Sequence, residues 1–226
     1  MGTVARLMRY PVKSLAGEEL DAVDVEQRGL AGDRWWAVRT ADGGIGSGKT
    51  TRRFRWVDGL LELRASLTGA MPVVDFPGGP LAVDDVAANH VLSTLLGRPL
   101  ELHPEGDVPH HDESPVHVIT TAALHVLDRV LGAPVDPARF RANVVLDADG
   151  PEDDWEGREL RLGNDVVLRV GAGMPRCRMV DLPQRGLDRD GRILKALADG
   201  HAPIFGVQAS VLRGGIIRRG DGAVLL

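Results

Sequence analysis

Short apolar runs separated by glycine and proline constrain the fold of this chain more than any other feature. The runs are only a few residues long and cover residues 4–8, 35–38, 116–120, 144–146, 166–170 and 206–212. The chain has 28 glycines and 14 prolines, and they are scattered between such runs. Short strands bounded by turn-forming residues have this pattern. The sequence therefore predicts a mainly β protein.

Two longer stretches have helical periodicity instead, which adds a few helices to this β class. Residues 83–96 and 120–131 carry apolar side chains near helical spacing, and each stretch is followed by a glycine, Gly97 or Gly132. Thr120 or Thr121 is the expected N-cap of the second helix. Residues 192–198 form a weaker third candidate. The polar, proline-bearing segment 103–114 predicts a connection between a first domain, residues 1–102, and a second, residues 103–226.

Charge, cysteine content and hydropathy exclude several classes of function. The net charge of −5 argues against a general nucleic-acid binder, because such domains carry a basic surplus. No run approaches the roughly 18 apolar residues that a membrane span needs, and no secretory signal pattern is present, so we expect a cytoplasmic protein without membrane contact. The single cysteine, Cys177, excludes an intrachain disulfide and a cysteine-ligated iron–sulfur cluster within this sequence.

Residues 43–50 match the nucleotide-binding pattern G-x-x-x-x-G-K-[ST], with Lys49 as its lysine. A P-loop also needs a following helix that points its N-terminus at the phosphates. Here three arginines and then Asp58-Gly59 follow, which interrupts any helical apolar face. We therefore interpret residues 41–44 as a hairpin tip followed by a basic strand. A nucleotide hydrolase is the less favoured alternative.

Four motifs occur in an order that resembles one known family. They are YPVKS at residues 10–14, GLAGDRWW at 29–36, RFRANVV at 139–145 and PRCRMV at 175–180. Together they resemble MOSC-domain proteins with an N-terminal MOSC β-barrel domain, the arrangement of the mitochondrial amidoxime-reducing component and its bacterial relatives. The resemblance covers nearly the whole chain, to residues 217–221.

This resemblance implies an N-terminal β-barrel-like domain, a MOSC β-barrel domain, and a molybdenum cofactor (molybdopterin) held in a pocket between them. By the match of motifs, Cys177 is the metal ligand and catalytic residue. The implied cofactor-binding residues are Lys13, Ser14, Arg34, Ser114, Arg141, Asn143 and Arg176. The implied activity is the reduction of small N-hydroxylated (N–O bonded) compounds, with electrons from a separate donor protein. We also expect Arg52 and Arg53 at the rim of this pocket.

Other interpretations of these residues stay open at this point. The relatives have two threonines and Asp-Pro after the cysteine, whereas residues 178–184 here read RMVDLPQ. This difference leaves a non-catalytic cofactor or sulfur carrier as an alternative. A lone cysteine is more often a small buried apolar residue, and Arg141 and Asn143 are also suited to satisfying backbone groups. Residues 110–113, HHDE, are of metal-ligating types, but their spacing matches no metal site.

Overall fold

The computed structural model describes residues 2–199 and 202–226, and in them the chain is mainly β, as predicted. All six apolar runs lie in or overlap strands. The strands are β1 (Gly2–Arg9), β2 (Val12–Lys13), β3 (Glu18–Leu20), β4 (Ala22–Glu26), β5 (Gly29–Leu30), β6 (Trp36–Thr40), β7 (Ile45–Ser47), β8 (Phe54–Trp56), β9 (Arg64–Thr68), β10 (Met71–Phe76), β11 (Gly79–Ala82), β12 (Leu100–Pro104), β13 (Val116–Thr120), β14 (Val144–Asp147), β15 (Glu159–Leu162), β16 (Val166–Pro175), β17 (Ile204–Arg213), β18 (Gly215–Arg218) and β19 (Gly222–Leu225).

A closed barrel contains most strands of the second half of the chain and one strand of the first. Its order is β14-β13-β17-β16-β15-β19-β1, and β1 closes it by pairing antiparallel with β14. Side chains on alternate positions point inward, as at Val166, Leu168 and Val170 of β16, which are all buried. The interior is therefore an apolar core rather than a binding cavity.

The first half of the chain forms a second, open β structure. Strands β12, β6, β7 and β8 form a sheet with β2 on β6, and β9 to β11 form a three-stranded meander. A separate apolar core, which includes Val12, Val38, Leu60 and Leu92, fills this half. The predicted hairpin tip is confirmed between β6 and β7, where the Gly43 N–H donates to Thr40 O at 2.8 Å.

Three α-helices complete the described structure, and all three were predicted. They are α1 (Val86–Leu95), α2 (Thr121–Leu131) and α3 (Ile193–Leu197). Helix α1 begins three residues later than predicted, because the Asp85 side chain caps it by accepting from Ala87 N. Thr120 caps α2 by accepting from Ala123 N, and Gly132 ends it in the left-handed region. Helices α2 and α3 pack on the barrel through a third apolar cluster.

The segment with the P-loop pattern contains no helix. Residues 48–53 are a loop of bends, and β8 begins only at Phe54. The basic strand predicted after the hairpin tip is therefore found only as β8, which contains Arg55, whereas Arg52 and Arg53 lie in the loop before it. The physical reason is a local turn, in which Thr51 N donates to Phe54 O at 3.0 Å and the Thr51 hydroxyl accepts from Phe54 N at 3.1 Å. No described helix is long and apolar enough to cross a membrane.

Candidate functional site

One cavity of about 190 Å³ brings together all the site residues that the sequence predicted. It lies between loops of the first half of the chain and the end of the barrel that carries β13, β14 and β16. The predicted residues that line it are Lys13, Ser14, Arg34, Ser114, Arg141, Asn143, Arg176 and Cys177. Their contact with a cofactor stays a prediction, but their assembly from four separate motifs and from Ser114, which lies outside those motifs, is a property of the fold.

Three of these residues adopt a backbone conformation that is unusual for side-chain-bearing residues. Ser14, Arg34 and Arg141 have φ values of 69°, 55° and 54°, and they are the only non-glycine residues with positive φ in the described part of the chain. The left-handed region costs about 1–2 kcal/mol for such residues. Strain of this kind concentrates at functional sites, where the surrounding structure holds it in place.

Arg34 is positioned by the buried carboxylate of Asp33, which has 0% exposure. Asp33 pairs with Arg34 and accepts from Tyr10 N at 2.8 Å. Burial alone would raise the pKa of Asp33, but the Arg34 charge, the His111 ring 3.7 Å away and the hydrogen bond from Tyr10 N lower it to about 2. Arg34 also donates to Arg141 O at 3.2 Å, which links two of the sequence motifs. The Asp-Arg pair thus holds one cation at the cavity wall.

Asn143 connects strands as well as lining the cavity. Its Nδ2 donates to Met8 O at 3.3 Å, and its Oδ1 accepts from His117 N at 3.2 Å. The interpretation that Asn143 satisfies backbone groups is therefore confirmed. Ser114 is likewise engaged locally, since its hydroxyl donates to Val116 O at 2.8 Å. Both residues shape the cavity while their polar atoms serve the fold.

Two lysines share one carboxylate on the side of the cavity formed by the first half of the chain. Asp112 pairs with Lys13 and, at 3.0 Å, with Lys49. Lys13 is only 5% exposed, and this burial, partly offset by Asp112, lowers its pKa to about 8. Burial alone would raise the pKa of Asp112, but the two lysines hold it far below its usual range. The carboxylate stays ionised at neutral pH and keeps both ammonium groups beside the cavity.

Lys49 was not among the predicted cofactor residues, although its glycine-rich pattern had singled it out. Its loop packs across the cavity against the segment that follows Cys177. A Cβ on Gly48 would lie 2.8 Å from Leu182 Cδ1 and 3.1 Å from Met179 Cγ. Glycine at position 48 therefore reflects this close approach rather than a phosphate cradle.

Arg141 and Arg176 supply the positive charge that the fold leaves without an acidic partner. Among the described residues, Arg141 Nη2 and Arg176 Nε are buried without a hydrogen-bond partner, as is His111 Nε2, which does not line this cavity. Arg141 stacks over the Tyr10 ring at 4.3 Å, and Arg176 donates to Phe140 O at 2.9 Å. Burial lowers the pKa of each guanidinium to about 10. Because buried donors are normally satisfied, these atoms indicate a place for an anionic ligand.

Cys177 follows the end of β16 and begins the short 3₁₀ helix Arg178–Asp181. It is a half-buried free thiol, so the alternative of a small buried apolar residue does not describe it. Met174 and Met179 line the cavity beside it. Arg178 turns away and stacks over the Trp56 ring at 4.8 Å. The cavity thus places a free thiol beside a set of fixed cations.

Two further cavity residues, Arg139 and His117, were not predicted as site residues. Arg139 donates to Val180 O and Leu182 O at 3.3 and 3.4 Å and so holds the loop after Cys177. His117 is buried, and burial together with the Arg176 charge keeps its pKa well below the usual value. Arg139 lies two residues before Arg141, and His117 lies three residues after Ser114. This closeness in sequence to predicted residues was the only available signal.

One other expectation fails. Arg52 and Arg53 do not line this cavity but a second one, beside the β6–β7 hairpin. Residues 110–113, whose spacing matched no metal site, belong to no group of three His, Cys, Asp or Glu placed to hold an ion among the described residues. His110 instead places Nδ1 3.0 Å from Arg34 O.

Comparison with known proteins agrees with this architecture. Profiles of two families match the chain: "MOSC N-terminal beta barrel domain" over residues 1–98 and "MOSC domain" over residues 105–224. Human mitochondrial amidoxime-reducing component 1 is 24% identical over all of this chain and 83% of its own length. Rat mitochondrial amidoxime reducing component 2 is 28% identical over 98% of this chain and 82% of its own length.

A solved structure shares the fold at low sequence identity. The crystal structure of the YuaD protein from Bacillus subtilis superposes with a TM-score of 0.57 at 13% identity, covering 99% of this chain and 94% of that one. This structural likeness shows the fold alone, whereas the two profile matches also define the family. The chain is a member of the MOSC family, with a MOSC domain preceded by the MOSC N-terminal beta barrel domain.

Proposed function

We propose that this protein binds the molybdenum cofactor through Cys177 and reduces small N-hydroxylated compounds with electrons from a separate donor protein. One observation carries the proposal: two arginines with buried, unpaired donor atoms line the same cavity as the single cysteine. The similarity to proteins named as amidoxime-reducing components supports the reaction class.

The side chains of the cavity fit a ligand that carries both a phosphate and a thiophilic metal. Arginine donates forked, charge-assisted hydrogen bonds to phosphate, and lysine adds a point charge. In this assignment Arg141, Arg176, Arg34 and Lys13 would hold the anionic part of the cofactor. The Cys177 sulfur, a soft ligand, would hold the metal.

The cofactor would supply the two-electron redox chemistry, and the chain would bind and orient the reactants. Reduction of an N-hydroxylated compound consumes two electrons and two protons, breaks the N–O bond, and releases the amine or amidine and water. Lys13 Nζ holds a proton at neutral pH beside the ionised Asp112. The neutral His117 ring, whose Nε2 lies 3.2 Å from Phe205 O, closes the inner wall.

Turnover with a chemical reductant tests this function without the unidentified donor. Protein made in a molybdenum-competent host is supplied with reduced methyl viologen and benzamidoxime, and benzamidine is measured. We expect turnover by the wild type and none by Cys177→Ser, while exposed Arg129→Glu on α2 serves as the control. Loaded protein without turnover would favour the non-catalytic carrier, and turnover by Cys177→Ser would contradict the assigned role of the cysteine.

A further inference from the structure

A second cavity, of about 480 Å³, lies beside the β6–β7 hairpin and is rich in arginine. Its lining includes four arginines, which we call the basic face: Arg39, Arg52, Arg53 and Arg55. They fall within one short stretch of a chain whose net charge is −5. A local concentration of positive charge on an acidic protein suits an acidic partner surface.

Most of the basic face is held in place by contacts that leave its charge largely intact. Arg39 donates to Gly43 O at 3.2 Å, and Arg53 donates to His111 O at 3.0 Å and to Pro109 O. Backbone carbonyls are neutral, so these two guanidinium groups keep their full charge. Arg55 pairs with Asp42 at 2.6 Å, whereas Arg52 is exposed. The face is thus pre-organised for an anionic surface.

The basic face shares a wall with the candidate functional site. The buried Phe54 ring lies 5.4 Å from the Arg53 guanidinium, and 4.9 and 4.7 Å from the ammonium groups of Lys13 and Lys49. The carbonyl groups that Arg53 holds belong to the segment that leads directly to Asp112. A protein docked on the basic face would therefore be separated from the cavity by one aromatic ring and one loop.

We propose that the basic face is the docking surface for the acidic electron-donor protein. This inference rests on the proposed function, which needs two electrons from such a partner for each N–O bond broken, with two protons taken from solvent. A nucleic acid is the less favoured occupant, because the patch is compact and Asp42 and Asp107 also line it.

Binding can be measured on the chain without its cofactor, with reduced flavodoxin as the acidic redox probe. We expect saturable flavodoxin binding that weakens as ionic strength rises, and no binding of basic cytochrome c. Arg52→Glu should weaken flavodoxin binding about five- to tenfold. Arg129→Glu makes the same charge change on the exposed face of α2 and should leave the affinity unchanged.

Kinetics on the loaded protein separate this proposal from the reductase function. The ratio of flavodoxin-supported to viologen-supported turnover should fall in Arg52→Glu and not in Arg129→Glu. If viologen supports no turnover while flavodoxin still binds through Arg52, the reductase function fails and the docking surface stands. Equal flavodoxin affinity in wild type and Arg52→Glu, or tighter binding of a ten-nucleotide oligothymidine to the same face, would overturn the docking surface.

Discussion

Replacing Arg141 by methionine should stabilise the cofactor-free protein while it removes anion binding. The pKa of this guanidinium falls from 12.5 to about 10 because its burial is not compensated. At about 1.4 kcal/mol per pKa unit, holding the charge in the cavity costs up to about 3.5 kcal/mol. Residual solvent access reduces this cost. The variant also loses the cation–π contact between Arg141 and Tyr10, which stabilises the wild type by about 1 kcal/mol. We expect a net gain of about 1 kcal/mol.

Methionine is the sharpest replacement because it keeps the side-chain length and the same left-handed backbone cost. Chemical denaturation at pH 7 measures the gain, with Arg129→Met on the surface of α2 expected to change stability by less than about 0.5 kcal/mol. The cost of the buried Arg141 charge is fully present below its pKa of about 10 in the folded protein. The gain in stability of Arg141→Met should therefore be the same at pH 6 and pH 8.

Anion binding should reverse this order of stability. Sulfate that binds only the folded wild type raises its melting temperature by mass action, and the rise should be much smaller in Arg141→Met. A variant that is less stable than the wild type without ligand, or that gains as much from sulfate, would refute the view that Arg141 is kept for an anion.

Three further predictions concern the same cavity. Sulfate affinity should fall as pH rises through about 8, since Lys13 loses its proton there, and calorimetry from pH 6.5 to 9.5 checks this; a flat profile would contradict it. Gly48→Ala should destabilise the fold by about 1–2 kcal/mol through overlap with Leu182, whereas Gly106→Ala, which meets nothing within 4 Å, should be nearly neutral. Lys49→Ala should weaken sulfate binding about three- to tenfold. ATP hydrolysis should stay at background in the wild type and in this variant. ATP hydrolysis by the wild type that is lost in Lys49→Ala would restore the P-loop interpretation.

Local patterns in the sequence predicted the elements well because they depend on neighbouring residues. Alternating burial in β16, the Thr120 cap and the Gly132 stop are all set by a few adjacent side chains. The placement of β1 was not predictable in this way. Its pairing with β14 joins residues more than a hundred positions apart, and no local signal specifies such a register.

At the candidate site, too, local motifs were predictable from the sequence and long-range contacts were not. The motifs that resemble the MOSC family named Cys177 and the arginines, and the fold brings them into one cavity. Lys49 was singled out by its spacing but not assigned to the cavity, because its partner Asp112 is distant in sequence. The left-handed backbone at Ser14 also has no sequence signature, since serine rarely adopts it.

Molybdenum content tests the central claim most directly. Wild type and Cys177→Ala are purified from a molybdenum-competent host, and metal analysis is combined with fluorescence of the oxidised pterin. The account predicts stoichiometric molybdenum and pterin in the wild type and loss of the metal in the variant. A wild type without molybdenum, or a variant that carries as much, would contradict it.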